Sequence, residues 1–373
     1  MLVSKNNLSQ FNNYFKTLDV NKINSIFNAI GIEVEEVIKT NSPKGLVVGK
    51  ILEISKLEGS KHSLNYCLVE IANEKLNIVC GAQNLKINDF VVVAPIGTKF
   101  SDDFVIEKRK ILDVYSCGMI CAYSEISPDF AKYTDDYKEH NVIILDNDVD
   151  LNTDVYEYLG LNDEIYNLSI PSNRNDLNSI LALFNELNYQ INYSFKLNDK
   201  PFQFKISKDN SISIESDLIN GHAIGSFEVP ENYKTPWNIK KFLINSEINV
   251  HNTVADYANY ITLLTGNPIH FYDADKIQNT LKFKCIDEST KFTSLLGDEI
   301  EIPKKSLVSL DANNNVACFV GVIGANYSKI TKDTRKVIFE IINLDSDYSR
   351  EISEKTKIKN NSTDLFSKPI PNI

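Results

Sequence analysis

Three stretches between residues 45 and 125 decide the fold of this chain: Gly45-Leu-Val-Val-Gly-Lys-Ile51, Ile78-Val-Cys-Gly-Ala-Gln-Asn84 and Gly118-Met-Ile-Cys-Ala-Tyr-Ser-Glu125. Each combines a run of β-forming residues with a glycine turn and polar side chains. Residues 44–150 as a whole contain Val and Ile runs bounded by Gly, Asn, Asp and Pro, which is typical of a small β-barrel. We therefore predict a barrel whose turns present polar groups to a ligand.

The bulk properties limit the class of protein. A chain of 373 residues with 43% hydrophobic content predicts two or three domains. No apolar run approaches the ~18–20 residues of a membrane span, and the first residues do not form a signal peptide. We therefore predict a cytoplasmic protein with no membrane partner.

Six scattered cysteines do not form a disulfide framework. Cys117 and Cys121 lack further ligands for zinc, so no metal is predicted.

The net charge of −11 argues against non-specific binding to nucleic acid and against DNA as a partner. RNA would be held weakly, through local basic patches such as Lys108-Arg109-Lys110 and Lys355 to Lys359. Either patch also fits an ordinary solvated surface. A generic OB-fold (small five-stranded barrel) binder of single strands would need a basic groove, which this composition does not supply.

Patterns outside the barrel predict further elements. Apolar residues at helical spacing from Ile23 to Ile30 predict a helix capped by Asp19 and ended by Gly31. A strand over 32–37 follows it, and a second apolar helical stripe follows the turn at 171–176. Residues 206–373 predict a mixed domain with largely antiparallel strands. The predicted elements there are a helix over Val254–Thr265 and strands at Ile212, Leu281–Ile286, Val316–Ile323 and Val337–Ile342. The predicted linker before this domain runs from Asn192 to Lys205.

Several motifs together resemble one protein family. The Val-Cys-Gly-Ala-x-Asn and Gly-Met-x-Cys-x-x-Ser-Glu motifs within 79–125 resemble the tRNA-binding OB-fold module of bacterial phenylalanyl-tRNA synthetase beta subunits. The stretch Asn259-Tyr-Ile-Thr-Leu-Leu-Thr-Gly-Asn-Pro-Ile-His-Phe-Tyr-Asp273 is similar to the family's Asn-Tyr-x5-Gly-x-Pro-x-His-x-x-Asp. Gly321-Val-Ile-Gly-Ala325 resembles its glycine-rich loop, and Asp333-Thr334 through Glu340 resembles its last strand. The resemblance covers essentially the whole chain in the family's order.

The resemblance implies an α+β multidomain fold. An OB-fold β-barrel (residues 41–150) would be inserted in a small α/β domain (residues 1–40 with 151–195). A mixed α+β editing module (residues 206–373) would follow. In the family this module hydrolyses tyrosine wrongly attached to the phenylalanine tRNA.

The resemblance also assigns site residues. Glu340 would accept a charge-assisted hydrogen bond from the tyrosine hydroxyl, and His270 would orient the ester or a water. The positions implied by the family are His270, Glu340, Asn360 and Ser362 for catalysis, and Val320, Gly321 and Gly324 for the substrate pocket. The candidate tRNA-contacting residues come from the local basic patch and the tyrosines, and they are Lys108, Arg109, Lys110 and Tyr123. Tyr66 and Tyr123 are candidate stacking platforms, and buried tyrosines are the equal alternative.

Three departures from the family pattern bear on activity. Asn360-Asn361-Ser362 replaces the family's Thr-x-Ala, Val320 replaces a small residue, and Ala325 replaces a second glycine. A branched side chain narrows a packed pocket, and alanine restricts the backbone where glycine does not. We therefore predict an editing fold whose hydrolytic activity is weak or lost.

The family's assembly supplies the expected partners. They are tRNA(Phe) and the alpha subunit in an α2β2 tetramer, with ATP and Mg²⁺ used by the complete enzyme and no cofactor on this chain. No Walker motif is present. In the family the alpha subunit carries the ATP-dependent ligation, so the resemblance implies that this chain alone does not ligate. It would represent the N-terminal half of the subunit, before the catalytic-like and anticodon-binding domains. The alternative is a non-enzymatic tRNA-binding or scaffold protein derived from that subunit.

Overall fold

The computed structural model describes residues 1–59, 63–134, 141–147, 149–193 and 210–368. The chain forms two compact units, the first made of Met1–Ile23, Val34–Leu168 and Thr235–His251, the second of Asn24–Glu33, Ser169–Lys234 and Asn252–Ile373. Helices and strands are mixed, as the predicted α+β class requires. The predicted domain limits and the insertion of the barrel stay predictions.

The elements are as follows. The strands are β1 (Leu2–Ser4), β2 (Glu33–Lys39), β3 (Val47–Leu57), β4 (Leu64–Glu70), β5 (Lys75–Cys80), β6 (Phe90–Pro95), β7 (Arg109–Ile111), β8 (Val114–Ser116), β9 (Gly118–Ile120), β10 (Glu164–Ser169), β11 (Ser211–Glu215), β12 (Ile219–Glu228), β13 (Ile269–Asp273), β14 (Thr280–Cys285), β15 (Thr290–Thr293), β16 (Glu299–Ile302), β17 (Leu307–Leu310), β18 (Val316–Phe319), β19 (Ile323–Gly324) and β20 (Lys336–Leu344). The helices are α1 (Lys5–Phe11), α2 (Tyr14–Thr17), α3 (Val20–Ala29), α4 (Tyr123–Ile126), α5 (Pro128–Ala131), α6 (Val155–Leu159), α7 (Ile180–Gln190), α8 (Trp237–Ile244), α9 (Ala255–Thr265), α10 (Ser346–Thr356) and α11 (Asn361–Phe366).

The first unit contains the predicted barrel. Five antiparallel strands follow the order β5-β4-β3-β6-β9. The two edges approach each other where Cys117 N, just before β9, donates to Asn77 O on β5 at 2.7 Å. The sheet is therefore nearly closed, which is consistent with an OB-like fold.

Alternation along the barrel strands explains their packing. On β4 and β5 buried residues alternate with less buried ones, so each strand faces one side to the core. β6 is buried at four consecutive positions. The barrel core consists of Ile51, Cys67, Val69, Ile71, Leu76, Ile78, Cys80, Ala82, Val91, Val93, Ile120 and Val142.

A buried carboxyl ties together the small sheet β1-β10-β2 of the first unit. Asp163 accepts hydrogen bonds from the Ser4 hydroxyl, from Asn6 N at 3.0 Å and from Asn245 Nδ2 at 2.9 Å. Burial raises the pKa of Asp163 to about 6. The bonds join β1, α1 and the end of α8 around one group.

The second unit has two main sheets, β11-β14-β17-β18-β19 and β12-β20-β13. Pairing is antiparallel except between β11 and β14, which confirms the predicted pattern. The prediction of a single strand over Val316–Ile323 is wrong. The strand β18 ends at Phe319, because Gly321 has a φ of 78° and turns the chain back.

The predicted helices form close to their expected bounds. In α3 the Asp19 carboxyl accepts from Lys22 N at 2.8 Å, and Gly31 has a φ of 77° just beyond the end. α9 ends at Gly266 in the left-handed conformation.

Of the predicted linker, only Asn192 and Tyr193 fall in the described ranges, and the rest lies outside them. Within those ranges, no helix has the length and apolar character that a membrane crossing requires.

The close packing of β3 yields a stability prediction. A Cβ added at Gly49 would lie 2.6 Å from Val93 Cγ2 and 2.7 Å from Val69 Cγ1, whereas one added at Gly81 would meet only Leu64 Cδ2 at 3.7 Å. We expect Gly49→Ala to lower the free energy of unfolding by about 1–3 kcal/mol through overpacking. Urea unfolding measures the change. Gly81→Ala is the matched control, and equal losses in both variants would contradict the packing argument.

Candidate functional site

The pairing of two strands brings the two principal predicted site residues together. β20 is the central strand of its sheet, and His270 on β13 lies directly opposite Glu340 on β20. Because side chains alternate along a strand, Tyr272 lies on the same face as His270. An imidazole, a phenol and a carboxyl group therefore share one face of the second unit.

Tyr272 connects the carboxyl group to the neighbouring sheet. Its hydroxyl donates to Glu340 Oε2 at 2.9 Å and lies 2.9 Å from Ser309 Oγ on β17. Tyr272 and Ser309 are fully buried, and Glu340 is 4% exposed. The carboxyl group therefore already has a phenol as its partner, from within the chain.

Burial sets the charge of both titratable groups. It raises the pKa of Glu340 to about 8, with the hydrogen bond from Tyr272 acting in the opposite direction. Burial also lowers the pKa of His270 to about 4. At neutral pH the site therefore contains a neutral imidazole and a mostly protonated carboxyl group.

The glycine-rich loop packs directly on the imidazole. A Cβ added at Gly324 would lie 2.5 Å from His270 Cε1 and 2.8 Å from Nε2, and Leu295 Cδ1 would be 3.1 Å away. The His270 ring also meets the Tyr272 ring edge-on, at 4.5 Å between centroids. The loop backbone and Tyr272 thus each pack against the imidazole, and His270 remains half-buried.

The other predicted pocket residues serve the packing of this loop. Val320 is fully buried in the hydrophobic core of the second unit. Gly321 makes the turn, and a Cβ there would lie 2.5 Å from Leu344 Cδ2. Ala325 is buried, and its N–H donates to Ala317 O at 2.9 Å. These residues contact the hydrophobic core and the β18 backbone.

Asn360 and Ser362 lie at the start of α11. The Asn360 side chain accepts from Thr363 N at 3.0 Å, which caps the helix. Its Nδ2 donates to Val322 O at 2.9 Å, so the cap also holds the loop in place. Ser362 is half-buried within α11. Asn360 therefore supports the loop that packs against His270.

The sequence did not predict the structural roles of Tyr272 and Asp273. Tyr272 appeared only as an unspecified position within the His-x-x-Asp motif. Its i, i+2 spacing from His270 was the available signal for a shared face. Asp273, in the same motif, accepts from Thr334 Oγ1 at 2.7 Å and so joins two matched segments.

A groove of about 590 Å³ lies elsewhere in the second unit. Its lining residues do not include His270 or Glu340. They are Thr290, Lys291, Phe292, Thr293, Asn314, Asn315, Val316, Ala325, Asn326 and Tyr327. Nor do three or more His, Cys, Asp or Glu residues come together to hold a metal ion anywhere in the described ranges.

The predicted tRNA-contacting residues divide into exposed and buried ones. Lys108, Arg109 and Lys110 are exposed on the barrel. Tyr123 is 3% exposed, and its ring lies parallel to that of Trp237 at 6.4 Å. Tyr123 thus matches the buried alternative, because its ring face is not open to a base. Tyr66 is half-buried, and its hydroxyl donates to Asn77 Oδ1 at 2.9 Å.

Two family models match this chain. One described as "Putative tRNA binding domain" matches residues 46–154, and one described as "B3/4 domain" matches residues 226–372. A solved N-terminal fragment of the phenylalanyl-tRNA synthetase beta subunit from Pyrococcus horikoshii is 17% identical. It has a TM-score of 0.31 over 48% of this chain and 56% of that chain, a similarity too low to carry an argument.

Curated relatives match over the full length of this chain. The phenylalanine–tRNA ligase beta subunit of Malacoplasma penetrans is 36% identical over 100% of this chain and 47% of the relative. That of Ureaplasma parvum is 31% identical over 100% of this chain and 48% of the relative. The chain therefore belongs to the phenylalanine–tRNA ligase beta-subunit family and spans about half the length of these curated relatives.

Proposed function

We propose that this chain is the tRNA-contacting portion of a phenylalanine–tRNA ligase beta subunit, and that its His270–Glu340 site hydrolyses mischarged tRNA slowly or not at all. The first part is supported by the family and by the matched tRNA-binding domain. The proposed partners are tRNA(Phe) and the alpha subunit, with ATP and Mg²⁺ used in ligation by the complete enzyme. The proposed compartment is the cytoplasm.

The hydrogen bond from Tyr272 to Glu340 carries the second part of the proposal. An editing site that selects tyrosine needs a buried acceptor for the substrate phenol, because phenylalanine would leave that acceptor unpaired. Here the phenol of Tyr272 already donates to Glu340 Oε2 at 2.9 Å. A substrate tyrosine would therefore have to displace an internal group of the same chemistry.

Two further features oppose hydrolysis. The pKa of Glu340, raised by burial to about 8, leaves the carboxyl group mostly neutral at pH 7, so the charge-assisted bond to a substrate phenol is weakened. The backbone at Gly324 lies against the imidazole of His270. A water and an ester need space beside that ring if positioning is to supply the catalysis. The Gly324 backbone therefore narrows the space on one side of the ring.

The direct experiment is deacylation of tyrosyl-tRNA(Phe). We expect the wild-type chain to leave the rate close to the spontaneous one. Tyr272→Phe removes the competing hydroxyl and should raise the rate by roughly tenfold, the equivalent of one hydrogen bond. Thermal unfolding of both proteins checks that the variant is folded.

The matched control is Ser309→Ala. This change removes the other partner of the Tyr272 hydroxyl but leaves its bond to Glu340. We expect no gain in deacylation from it. Rapid deacylation by the wild-type chain that Glu340→Gln abolishes would refute the weak-editing proposal.

Co-purification with an alpha subunit separates the synthetase subunit from the scaffold alternative. We expect the full chain to retain a co-expressed alpha subunit through affinity capture and gel filtration. A chain that binds tRNA(Phe) and never retains the alpha subunit would favour the non-enzymatic scaffold.

The neutral state of Glu340 has a consequence for stability. Its pKa rises from 4.5 to about 8 on folding, so the folded state keeps a proton that the unfolded state releases between these values. Stability therefore falls as the pH rises through this window, by about 1.4 kcal/mol per pH unit. We expect Glu340→Gln to abolish this fall, which amounts to about 2 kcal/mol between pH 6.5 and 8.

The lower limit of pH 6.5 leaves out most of the titration of His270 and of Asp163. The pKa of His270 falls from 6.5 to about 4 on folding, so that residue lowers stability as the pH drops below 6.5. Asp163 changes the stability with pH only below about pH 6, which is its pKa in the folded state. Urea unfolding at several pH values gives the slopes. Glu354→Gln, at an exposed residue of α10, is the charge-matched control, and a wild-type slope retained in Glu340→Gln would contradict the prediction.

A further inference from the structure

The β7–β8 hairpin occupies a distinctive place in the barrel. It lies in the connection between β6 and β9, which are the fourth and fifth strands of the barrel. In OB-folds the loop between these two strands is one of the elements that bind oligonucleotides. The hairpin itself, residues 107–116, is called the basic hairpin below.

The base of the basic hairpin is fixed to the barrel. Ser116 is buried, and its Oγ accepts from Val79 N at 3.1 Å and donates to Gly118 O at 3.0 Å. The adjacent Cys117 N donates to Asn77 O at 2.7 Å. The hairpin is thus held before any ligand arrives, which reduces the ordering cost of binding.

One face of the hairpin combines cations with an aromatic ring. Lys110 lies directly opposite Tyr115 across the two strands, and Lys108, two residues before Lys110, shares that face. Lys108 Nζ lies 4.9 Å from the centroid of the Tyr115 ring. This is cation–π geometry, and it fixes the ring beside two positive charges.

The face is open to solvent. Tyr115 is 53% exposed, and Lys108 and Lys110 are exposed. Glu107 and Asp113 are the acidic residues of the same segment, so the three consecutive cations from Lys108 to Lys110 outnumber them. A local positive charge on a chain of net charge −11 marks this face as complementary to a polyanion.

We propose that the basic hairpin is an RNA-contacting element in which Tyr115 stacks on an unpaired base while Lys108 and Lys110 contact flanking phosphates. An exposed ring beside lysines is the arrangement by which proteins hold single-stranded nucleic acid without reading its sequence. The inference rests on the proposed tRNA-contacting function and adds the residue that stacks. Tyr115 takes the role that the buried Tyr123 cannot perform.

Binding of a tRNA(Phe) transcript to the full chain tests this, with fluorescence anisotropy across a salt series. We expect Tyr115→Ala to weaken binding about tenfold, because stacking on one base is lost. Tyr115→Phe keeps the ring and should bind like the wild type. Lys110→Ala should reduce the slope of log affinity against log salt by ~0.7–0.9, the value for one phosphate contact.

Two controls match these changes. Tyr189→Ala removes an exposed tyrosine on α7, outside the barrel, and Lys75→Ala removes an exposed lysine at the start of β5. Neither should weaken tRNA binding as the hairpin changes do. Thermal unfolding verifies that every variant folds.

The outcomes separate the two levels of the argument. Measurable wild-type binding with undiminished binding by Tyr115→Ala and Lys110→Ala would overturn this inference and leave the proposed function standing. No binding by the wild-type chain would overturn both. An equal decrease of tRNA affinity in Lys75→Ala and Lys110→Ala would overturn the inference, because it would indicate a diffuse charge effect and no local contact at the hairpin.

Discussion

The second unit depends on how it accommodates one ionisable carboxyl group in its interior. A buried, unpaired carboxylate would cost several kcal/mol, and Glu340 lies on the central strand with only 4% of its surface exposed. The structure gives it the hydroxyl of Tyr272 as a partner, which also bonds Ser309 on the other sheet, and burial raises its pKa so that the neutral form is favoured. One polar chain therefore joins the two sheets through an otherwise apolar core.

The loop beside His270 is held in place by contacts within the second unit. Gly321 turns the chain, Gly324 approaches the imidazole, and the Asn360 side chain holds the Val322 carbonyl from the start of α11. The Asn360 bond gives the Val322 carbonyl a partner within the fold. Together they stabilise one closed loop conformation. Opening it for an ester would break the Asn360 bond, so access carries a cost in stability.

Local chemistry in the sequence was enough to predict much of the fold. Asp19 and the glycines at 31 and 266 set helix ends because their physics is local. The Val316–Ile323 strand was misjudged because apolar content alone does not reveal the positive φ at Gly321. The motifs placed His270 and Glu340 in one site, and the two residues lie opposite each other on neighbouring strands. Tyr272 was missed because its role depends on Ser309 and Glu340, which are distant in sequence. Burial of Tyr123 likewise depends on Trp237, more than a hundred residues away.

Binding and hydrolysis place opposite physical demands on a protein, and the two units reflect them separately. Contact with a polyanion needs exposed cations and an exposed aromatic ring, which the basic hairpin provides on a fixed base. Selective hydrolysis needs an enclosed polar acceptor with no internal partner, and Glu340 has one. A family member can therefore lose the second property and keep the first, since no residue serves both. In the proposed function, Tyr272 opposes hydrolysis because its hydroxyl occupies the buried acceptor Glu340. Tyr115 supports contact with tRNA because its ring is exposed on the basic hairpin.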